Sequence, residues 1–412
     1  MSANAETAPS SLPSAPVGAP AIQATAFAIL IAISCGHLIN DMLQALVPSV
    51  YPLLADSFHL DYGAIGFLTL TWQLTASILQ PLVGIYTDKY PQPFSLAVGM
   101  GSTLIGLIIM AFAANYAMLL VGVSFIGIGS SIFHPESSRV ARMASGGRHG
   151  LAQSIFQVGG NVGSAIGPLV ALAIVLPNGQ RAIAWFALIA LVGMALLARV
   201  GFWYRGRRRA AGPRQAKMHV SPVSRSVLIR TMLVLGALVF SKFLYMASLS
   251  SYLTFYVMKT FDVSRDQAEI QLFVYLAAVA AGTILGGPIG DRIGRRAVIW
   301  FSILGVLPFS LALPFANLFW TTVLTIPIGV ILASAFPAII VYAQELVPGK
   351  VGTVAGLFFG FAFGMGGIGA AALGLLADHT SISFVYSVCS VLPAIGLLAW
   401  LLPDVRSHPV GT

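Results

Sequence analysis

The sequence predicts an all-α integral membrane protein in which about twelve spanning helices form two pseudo-symmetric six-helix bundles. Hydrophobic residues fill 57% of the 412 positions and charged residues only 8%, whereas globular proteins average about 25% charged residues. Apolar runs long enough to cross about 30 Å of hydrocarbon recur along the whole chain, for instance at 97–113, 183–198 and 382–402. A motif repeated at half the chain length, described below, predicts the two bundles.

The apolar runs define twelve predicted spans. They cover residues 25–54, 62–87, 94–114, 117–140, 150–176, 182–203, 229–258, 267–289, 297–316, 318–346, 351–377 and 382–403. We assign 25–203 to an N-terminal bundle, 227–403 to a C-terminal bundle and 204–226 to a linker. Residues 1–24 and 404–412 are predicted tails, the first disordered because it is rich in Ala, Ser and Pro.

Basic residues are sorted between alternate loops. The loops that follow even-numbered spans hold Lys89, Arg142, Arg148, the arginines of 205–230, Arg292, Arg295, Arg296 and Lys350. Because basic loops remain on the cytoplasmic side, we expect both termini and the linker in the cytoplasm. The formal net charge of +9 therefore reports topology and not nucleic-acid binding. Both cysteines lie inside apolar spans, so no disulfide framework is indicated.

A duplicated motif follows the second span of each half. Its members are Gly84, Asp88 and Lys89 in the first copy, and Gly287, Asp291, Arg292, Gly294, Arg295 and Arg296 in the second. The two aspartates stand 203 residues apart, and Tyr-Pro-Gln-Pro at 90–93 replaces Gly-Arg-Arg in the first copy. The pattern resembles the signature loop of the major facilitator superfamily. Small residues allow close helix approach and a carboxylate can face the N-terminus of a neighbouring helix, so we expect each copy to form a conformational latch, the first weaker than the second.

Polar side chains share one face of the first span. His37, Asn40, Asp41 and Gln44 follow the spacing i, i+3, i+4, i+7, and costly polar groups at membrane depth are expected to face a central cavity. A carboxylate one turn from a histidine can bind and release a proton. The alternative is a hydrogen-bonded pair that only fixes packing.

Further ionisable residues occur in the seventh and fourth spans. Lys242 falls near the depth of Asp41 in the repeat and needs an anionic partner, which is either a ligand or a permanent bridge to Asp41 or Glu136. His134, Glu136 and Arg139 surround Pro135, and a proline bend is typical of helices that line cavities. For Arg139, a boundary charge without a direct role is the alternative.

The fifth and eleventh spans carry stripes of glycine. Gly159, Gly163 and Gly167 precede Pro168, while the amides of Gln157 and Asn161 lie about half a turn away. The eleventh span repeats the stripe with Gly356, Gly360 and Gly364. Such stripes predict close packing against a neighbouring helix, with the amides facing the cavity.

The stretch 133–163, from Phe-His-Pro-Glu-Ser-Ser-Arg to Gln-Val-Gly-Gly-Asn-Val-Gly, resembles the fosmidomycin resistance protein family of bacterial exporters, and the resemblance covers about residues 25–403. It implies the major facilitator fold, the inner membrane, and efflux of fosmidomycin, a small phosphonate hydroxamate, driven by inward proton flow. Residues 159–168 also resemble the antiporter motif of drug/proton exchangers, although Leu169 and Val170 replace paired glycines. Val123 stands where many such exporters have an arginine.

These observations assign proposed roles. Proton coupling goes to Asp41, His37, Glu136 and His134, and substrate binding to Lys242, His134, Asn40, Gln157, Asn161, Tyr245 and Arg139. The predicted function is proton-coupled antiport of phosphonates by alternating access, and the alternative is transport of another small organic anion. No phosphate-binding loop or catalytic constellation occurs, so neither ATP, a cofactor, a metal nor enzymatic activity is predicted. The expected partners are lipid, protons and a small-molecule substrate, and the protein is expected to be a monomer.

Overall fold

The computed structural model describes residues 24–210, 221 and 223–403, and these residues form helices and connecting turns without a strand. Almost all of the two predicted tails, and residues 211–220 and 222 of the linker, lie outside the described residues. Within the described part, twelve helices match the predicted spans. They are α1 (Phe27–Ser49), α2 (Tyr62–Lys89), α3 (Ser95–Ala111), α4 (Tyr116–Ala144), α5 (His149–Asn178), α6 (Gln180–Ala210), α7 (Arg225–Phe261), α8 (Arg265–Ile293), α9 (Arg295–Phe315), α10 (Leu318–Leu346), α11 (Val351–His379) and α12 (Ile382–Leu401).

Ten of the described helices are long and apolar enough to cross a membrane. The other two are α3, an apolar helix of 17 residues, and α2, which has 28 residues and carries Gln73 and Gln80 among its apolar positions. A short helix, Tyr51–Phe58, follows α1. The helix α6 continues to Ala210, into the region predicted to be linker.

Side chains at matched positions begin helices in both halves. Asp61 caps α2 with a 2.7 Å hydrogen bond, and Ser264, 203 residues later, caps α8 in a reciprocal box with Gln267. Asn115 and Asn317 cap α4 and α10 in the same way. Each cap satisfies a backbone N–H at a helix start. The repeat therefore includes helix starts as well as the duplicated motif.

The hydrophobic core shows where the two halves meet. One buried cluster fills the first half and continues into the second through Phe336, Leu346 and Phe359, at the end of the molecule that bears the duplicated motifs. We call this the loop end. Toward the opposite end, the second half has a separate cluster that includes Tyr256 and Leu373. The two halves thus share one apolar core at the loop end, whereas the second half has a core of its own toward the other end.

Glycine stripes set the closest helix contacts. A Cβ on Gly159, Gly163 or Gly167 would collide with α1, and a Cβ on Gly356 or Gly360 would collide with α2. Close packing was predicted for all of these. Gly364 differs, since a Cβ there would meet nothing within 4 Å. Its predicted packing role is corrected, and the next approach of α11 to α2 is at Gly367, where a Cβ would lie 3.6 Å from Gln73 Nε2. Pro168 lies inside α5, just before the π-helical turn Ala171–Val175.

Candidate functional site

Two histidines converge on one carboxylate in the middle of the first bundle. His37 Nε2 lies 3.2 Å from Asp41 Oδ2, and His134 Nε2 of α4 lies 3.6 Å from Asp41 Oδ1. Both histidines are almost fully buried. We call His37, Asp41 and His134 the Asp41 cluster. Helix α1 supplies two of its members one turn apart, as the spacing predicted.

The other ring nitrogen of each histidine is committed to the backbone. His37 Nδ1 lies 2.8 Å from the Phe156 carbonyl oxygen, and His134 Nδ1 lies 3.0 Å from that of Ser130. A carbonyl oxygen can only accept, so each Nδ1 carries the hydrogen. A neutral imidazole therefore turns a bare lone pair toward Asp41. With both imidazoles neutral, three acceptor atoms would face one another in a buried space.

Amides support the carboxylate from the same helix. Asn40 Nδ2 donates to Asp41 Oδ1 at 2.9 Å, and Gln44 Nε2 lies 3.4 Å from the same oxygen. Asn40 is buried and its amide donor is already engaged. Its observed contact is thus to Asp41 and not to open space.

A cavity of about 190 Å³ opens beside the cluster. Its wall is formed by side chains from α1, α2, α4, α5 and α11, namely Asp41, Gln44, Ala45, Trp72, Gln73, Ala76, His134, Ser164 and Phe363. A carboxylate, a histidine and two glutamine amides make this a polar pocket in an otherwise apolar bundle. The cavity is large enough for a small polar molecule or several waters.

Aromatic rings enclose the cluster on its other sides. The His37 ring stacks on Phe156 at 4.2 Å, and the His134 ring contacts Phe359 and Phe363 of α11 at 5.3 and 4.8 Å between centroids. The second half of the molecule is therefore in direct contact with the Asp41 cluster through α11. Gly160 of α5 lies against it too, since a Cβ there would come within 2.8 Å of Asp41 Oδ2.

Lys242 is buried apart from the Asp41 cluster. Its Nζ lies 4.3 Å from the Phe243 ring centroid and 5.1 Å from that of Phe336, and the residue is 3% exposed. Among the described residues no carboxylate lies within ion-pair distance of it. The permanent bridge to Asp41 or Glu136, one of the two sequence alternatives, is not formed. Phe336 and Phe359, which are 5.2 Å apart, lie between Lys242 and His134.

Three other predicted binding residues have different surroundings. Asn161 Nδ2 donates to Thr283 Oγ1 at 3.0 Å and so joins α5 to α8 across the two halves. The Gln157 amide nitrogen is buried without a hydrogen-bond partner. Tyr245 lies in the apolar cluster of the second half and is 1% exposed. Gln157 therefore keeps a free donor, whereas Asn161 is engaged and Tyr245 packs in the core.

Glu136 and Arg139 lie away from the cavity wall. Arg139 donates to Asp88 at 2.7 Å and to both oxygens of Thr87, and it pairs with Glu136 at 3.3 Å. Glu136 also accepts from Ser95 at 3.0 Å. Arg139 is buried and its Nη atoms are used within the loop end, so it does not line the cavity. Glu136 is likewise not part of the Asp41 cluster.

The first latch joins α2 to the start of α11. Asp88 accepts hydrogen bonds from the backbone N–H groups of Gly352 and Thr353 at 3.0 and 2.7 Å, and from the Thr353 hydroxyl at 2.6 Å. A carboxylate at a helix N-terminus is stabilised by the exposed N–H groups and the helix dipole. Gly84 lies so close to Gly352 that a Cβ would not fit.

The second latch repeats this geometry. Asp291 accepts from the backbone N–H groups of Gly150 and Leu151 of α5 at 3.0 and 2.9 Å, and Gly287 packs on Gly150. Arg295 pairs with Asp291 at 2.6 Å and with Glu345 at 3.5 Å. Gly294 adopts a φ of 105°, which disfavours other residues, and Arg296 donates to the Trp400 carbonyl at 3.2 Å.

The expected weakness of the first latch is not seen in these contacts. Asp88 accepts three hydrogen bonds from α11, while Asp291 accepts two from α5. Arg139 of α4 supplies the cation that Arg295 supplies in the second copy. A residue distant in sequence thus replaces the missing arginine.

Sequence reasoning missed two groups of residues at the site. Trp72 and Gln73 of α2 line the cavity, and Gln73 in an apolar span was a signal that could have found them. Phe359 and Phe363 of α11 touch His134, but an apolar ring in an apolar helix carries no such signal. A buried bridge at the loop end, from Gln344 Nε2 to Ser138 Oγ at 3.0 Å, was also not predicted.

Comparisons with known proteins agree with this architecture. The family model described as Major Facilitator Superfamily matches residues 33–264 and 235–412. The fosmidomycin resistance protein of Escherichia coli (strain K12) is 56% identical over 93% of this chain and 94% of its own. An uncharacterized MFS-type transporter, YfnC of Bacillus subtilis (strain 168), is 41% identical over 92% and 94%.

Solved structures share the fold at low sequence identity. The human organic anion transporter MFSD10 (TETRAN) superposes with a TM-score of 0.71 at 16% identity, covering 92% of this chain and all of the other. FucP, a major facilitator transporter in the outward conformation, gives 0.69 at 15% identity, covering 92% and 99%. The matches are to transporters and not to enzymes. With its duplicated bundles, signature loops and close relatives, the chain is a membrane transporter that belongs to the fosmidomycin resistance protein family of the major facilitator superfamily.

Proposed function

We propose that this transporter exports fosmidomycin-like phosphonates in exchange for protons, by alternating access between its two bundles. The observation that carries the proposal is the Asp41 cluster, in which two histidines with occupied Nδ1 atoms face one carboxylate. The name of the relative that is 56% identical supports the substrate. The protein is proposed to lie in the bacterial inner membrane as a monomer, with its loop end and both termini cytoplasmic.

The proton step follows from hydrogen counting. With no added proton, Asp41 and two neutral imidazoles carry one negative charge, and one proton on an Nε2 atom makes the cluster neutral. A second proton would make it positive. Because the cluster borders the cavity and is otherwise enclosed by Phe156, Phe359 and Phe363, each proton changes the charge that a substrate in the cavity meets.

The anion step rests on Lys242. A buried ammonium held only by ring faces has donors for an anion and no protein carboxylate to compete for them. A phosphonate oxygen would be bound by Lys242 once Phe336 and Phe359 move apart, and the free amide donor of Gln157 would serve the hydroxamate. His134, on the cavity wall, contributes to both steps.

Alternating access needs two states of the same contacts. In the present state the latches hold the loop end closed, and the second half has an apolar core of its own toward the opposite end. Proton binding to the Asp41 cluster from that opposite end would favour the state in which the loop end is open, since a ligand shifts an equilibrium only by binding one state more tightly.

Replacement of Asp41 tests the proposal. Proteoliposomes that contain Asp41→Asn should still exchange labelled fosmidomycin down its gradient but should fail to accumulate it when a pH gradient is imposed. The matched control is Asp56→Asn, because Asp56 is an exposed aspartate on the short helix after α1.

Two results would refute parts of the proposal. Undiminished pH-driven accumulation by Asp41→Asn would show that proton coupling does not depend on the Asp41 carboxylate. Absence of fosmidomycin transport by the wild-type protein, with transport of another small organic anion in the same vesicles, would reject the substrate and leave the alternative function.

A further inference from the structure

Two basic residues of α6 lie beside the first signature loop. Residues 90–93, which replace the expected Gly-Arg-Arg, lie beside the last turns of α6: Arg208 Nη1 donates to the Pro91 carbonyl oxygen at 3.1 Å. The Arg205 guanidinium lies 5.2 Å from the Phe94 ring centroid and 5.0 Å from that of Phe202. Arg205 and Arg208 thus stand beside the loop that lacks its own arginines.

These cations have no acidic partner in the described part of the chain. Lys89, Arg205 and Arg208 form no ion pair with a described carboxylate. The nearest acid in sequence, Asp88, is already bound by α11 and by Arg139. Stacking on an aromatic face orients a guanidinium and leaves its N–H donors free. Arg205 therefore presents donors that no group in the described part of the chain uses.

The surroundings of these cations are apolar and exposed. Phe202 is 57% exposed and Tyr90 is 50% exposed. In a membrane-spanning chain such side chains contact acyl chains, and aromatic rings with neighbouring cations mark the headgroup level. A ligand here meets cations and lipid-facing apolar surface together.

We propose that Lys89, Arg205 and Arg208, with Tyr90, Phe94 and Phe202, bind the headgroup of an anionic phospholipid. The phosphate accepts hydrogen bonds from the guanidinium groups, and the acyl chains of the lipid lie along the exposed apolar surface beside Phe202. A free phosphate would use the cations but not the apolar face. Because Lys89 follows Asp88 directly in sequence, the bound lipid also steadies the first latch.

The test measures lipid retention by the full chain. Protein purified from mixed phosphatidylcholine and phosphatidylglycerol nanodiscs is delipidated in steps, and the retained phosphatidylglycerol is counted by native mass spectrometry. Each basic residue near an anionic lipid surface is worth about fivefold in affinity, so Arg205→Gln/Arg208→Gln should weaken phosphatidylglycerol binding roughly 30-fold. Arg205→Lys/Arg208→Lys keeps the charge but loses the guanidinium stacking. Its affinity for phosphatidylglycerol should lie between those of the wild type and the glutamine variant.

The matched control is Arg225→Gln/Arg230→Gln, which removes two exposed arginines from the start of α7 at the same end of the molecule. This control should retain nearly all of the bound phosphatidylglycerol. An equal loss in both double variants would show general surface attraction and overturn the site. Wild-type protein with no preference for phosphatidylglycerol over phosphatidylcholine, or displacement of the lipid by millimolar inorganic phosphate, would also overturn it. The preference of the wild-type protein for phosphatidylglycerol over phosphatidylcholine tests the proposal even if a variant fails to fold.

Discussion

Among single residues, the two buried ionic sites differ in what neutralises them. Asp41 has two histidines and two amides within reach, so protons can balance its charge from inside the protein. Lys242 has only ring faces, so its charge must be balanced by something that arrives or by loss of its own proton. The first arrangement suits a coupling ion and the second a transported anion.

Removal of the Lys242 charge should therefore weaken substrate binding. A hydrogen bond to a charged group contributes about 1.5–3 kcal/mol, so Lys242→Met should raise the Kd for fosmidomycin about 10- to 150-fold. Equilibrium binding of labelled fosmidomycin to purified protein measures this. Lys259→Met, which removes an exposed lysine from the same helix, should leave the Kd unchanged. Equal binding by both variants would remove Lys242 from the substrate site.

Gly160 controls the geometry of the Asp41 cluster. A methyl group there would press on His37 and Asp41, and overpacking of a tight site costs about 1–3 kcal/mol. Gly160→Ala should lower the Tm and slow pH-driven transport. Gly236→Ala, where a Cβ meets nothing within 4 Å, should leave both the Tm and the transport rate unchanged. Thermal unfolding and proteoliposome transport of both variants test this; a Gly160→Ala protein with normal coupling would contradict it.

On the scale of helices, α11 connects the parts of the molecule that the function needs. Its first residues, Gly352 and Thr353, are bound by Asp88, and its glycines pack on α2. Two turns further, Phe359 and Phe363 contact His134. A rigid movement of α11 would break the first latch and uncover the Asp41 cluster at the same time.

Gly364 tests whether α2 and α11 close on each other in the opposite state. The helices are in contact at Gly356 and Gly360, whereas a Cβ on Gly364 would meet nothing within 4 Å, so a side chain at Gly364 fits the present state. It would obstruct a state in which the far ends meet. Gly364→Leu should fold with an unchanged Tm but transport roughly tenfold more slowly or worse, while Gly364→Ala should transport nearly normally.

The readout for this pair is transport in proteoliposomes together with the distance between spin labels at the far ends of α2 and α11. The labels should remain far apart in Gly364→Leu under every condition. Full transport by Gly364→Leu would mean that these helix ends never approach, and the contact line between α2 and α11 would then not be a hinge.

Helices and latches were accessible to sequence reasoning because each depends on local or repeated patterns. Hydropathy located the spans, and the repeat located Asp88 and Asp291 at matching helix ends. The position of Arg139 was not accessible, since its partners at Thr87 and Asp88 come from another helix. The sequence does not show which of several buried charges share a pocket. It therefore could not distinguish Asp41, which lines the cavity, from Glu136, which does not.

At the scale of the whole molecule, both latches act on one equilibrium. Asp88 and Asp291 each tie the start of a helix from the opposite half, and both lie at the loop end. Each therefore stabilises the state in which that end is closed. A carboxylate at a helix N-terminus contributes about 0.3–2 kcal/mol, which is enough to set the population of the two states when they differ by a few kcal/mol.

In the proposed mechanism, proton binding and opening of the loop end are linked equilibria. A change in the latches must therefore shift the affinity for protons. If protons favour the state with the loop end open, anything that weakens the closed state must strengthen proton binding by the same factor. Asp88→Asn keeps the shape but loses the charge at the start of α11. Its proton-induced conformational change should therefore occur at higher pH than in the wild type, by roughly 0.7 pH units for about 1 kcal/mol.

Fluorescence or spin-label titration of the loop-end distance against pH measures the midpoint. In Asp88→Asn/Asp41→Asn the pH dependence should disappear while the loop end remains more open than in Asp41→Asn alone. A midpoint that moves to lower pH would mean that protons favour the closed loop end, and the proposed order of proton binding and return would then have to be reversed.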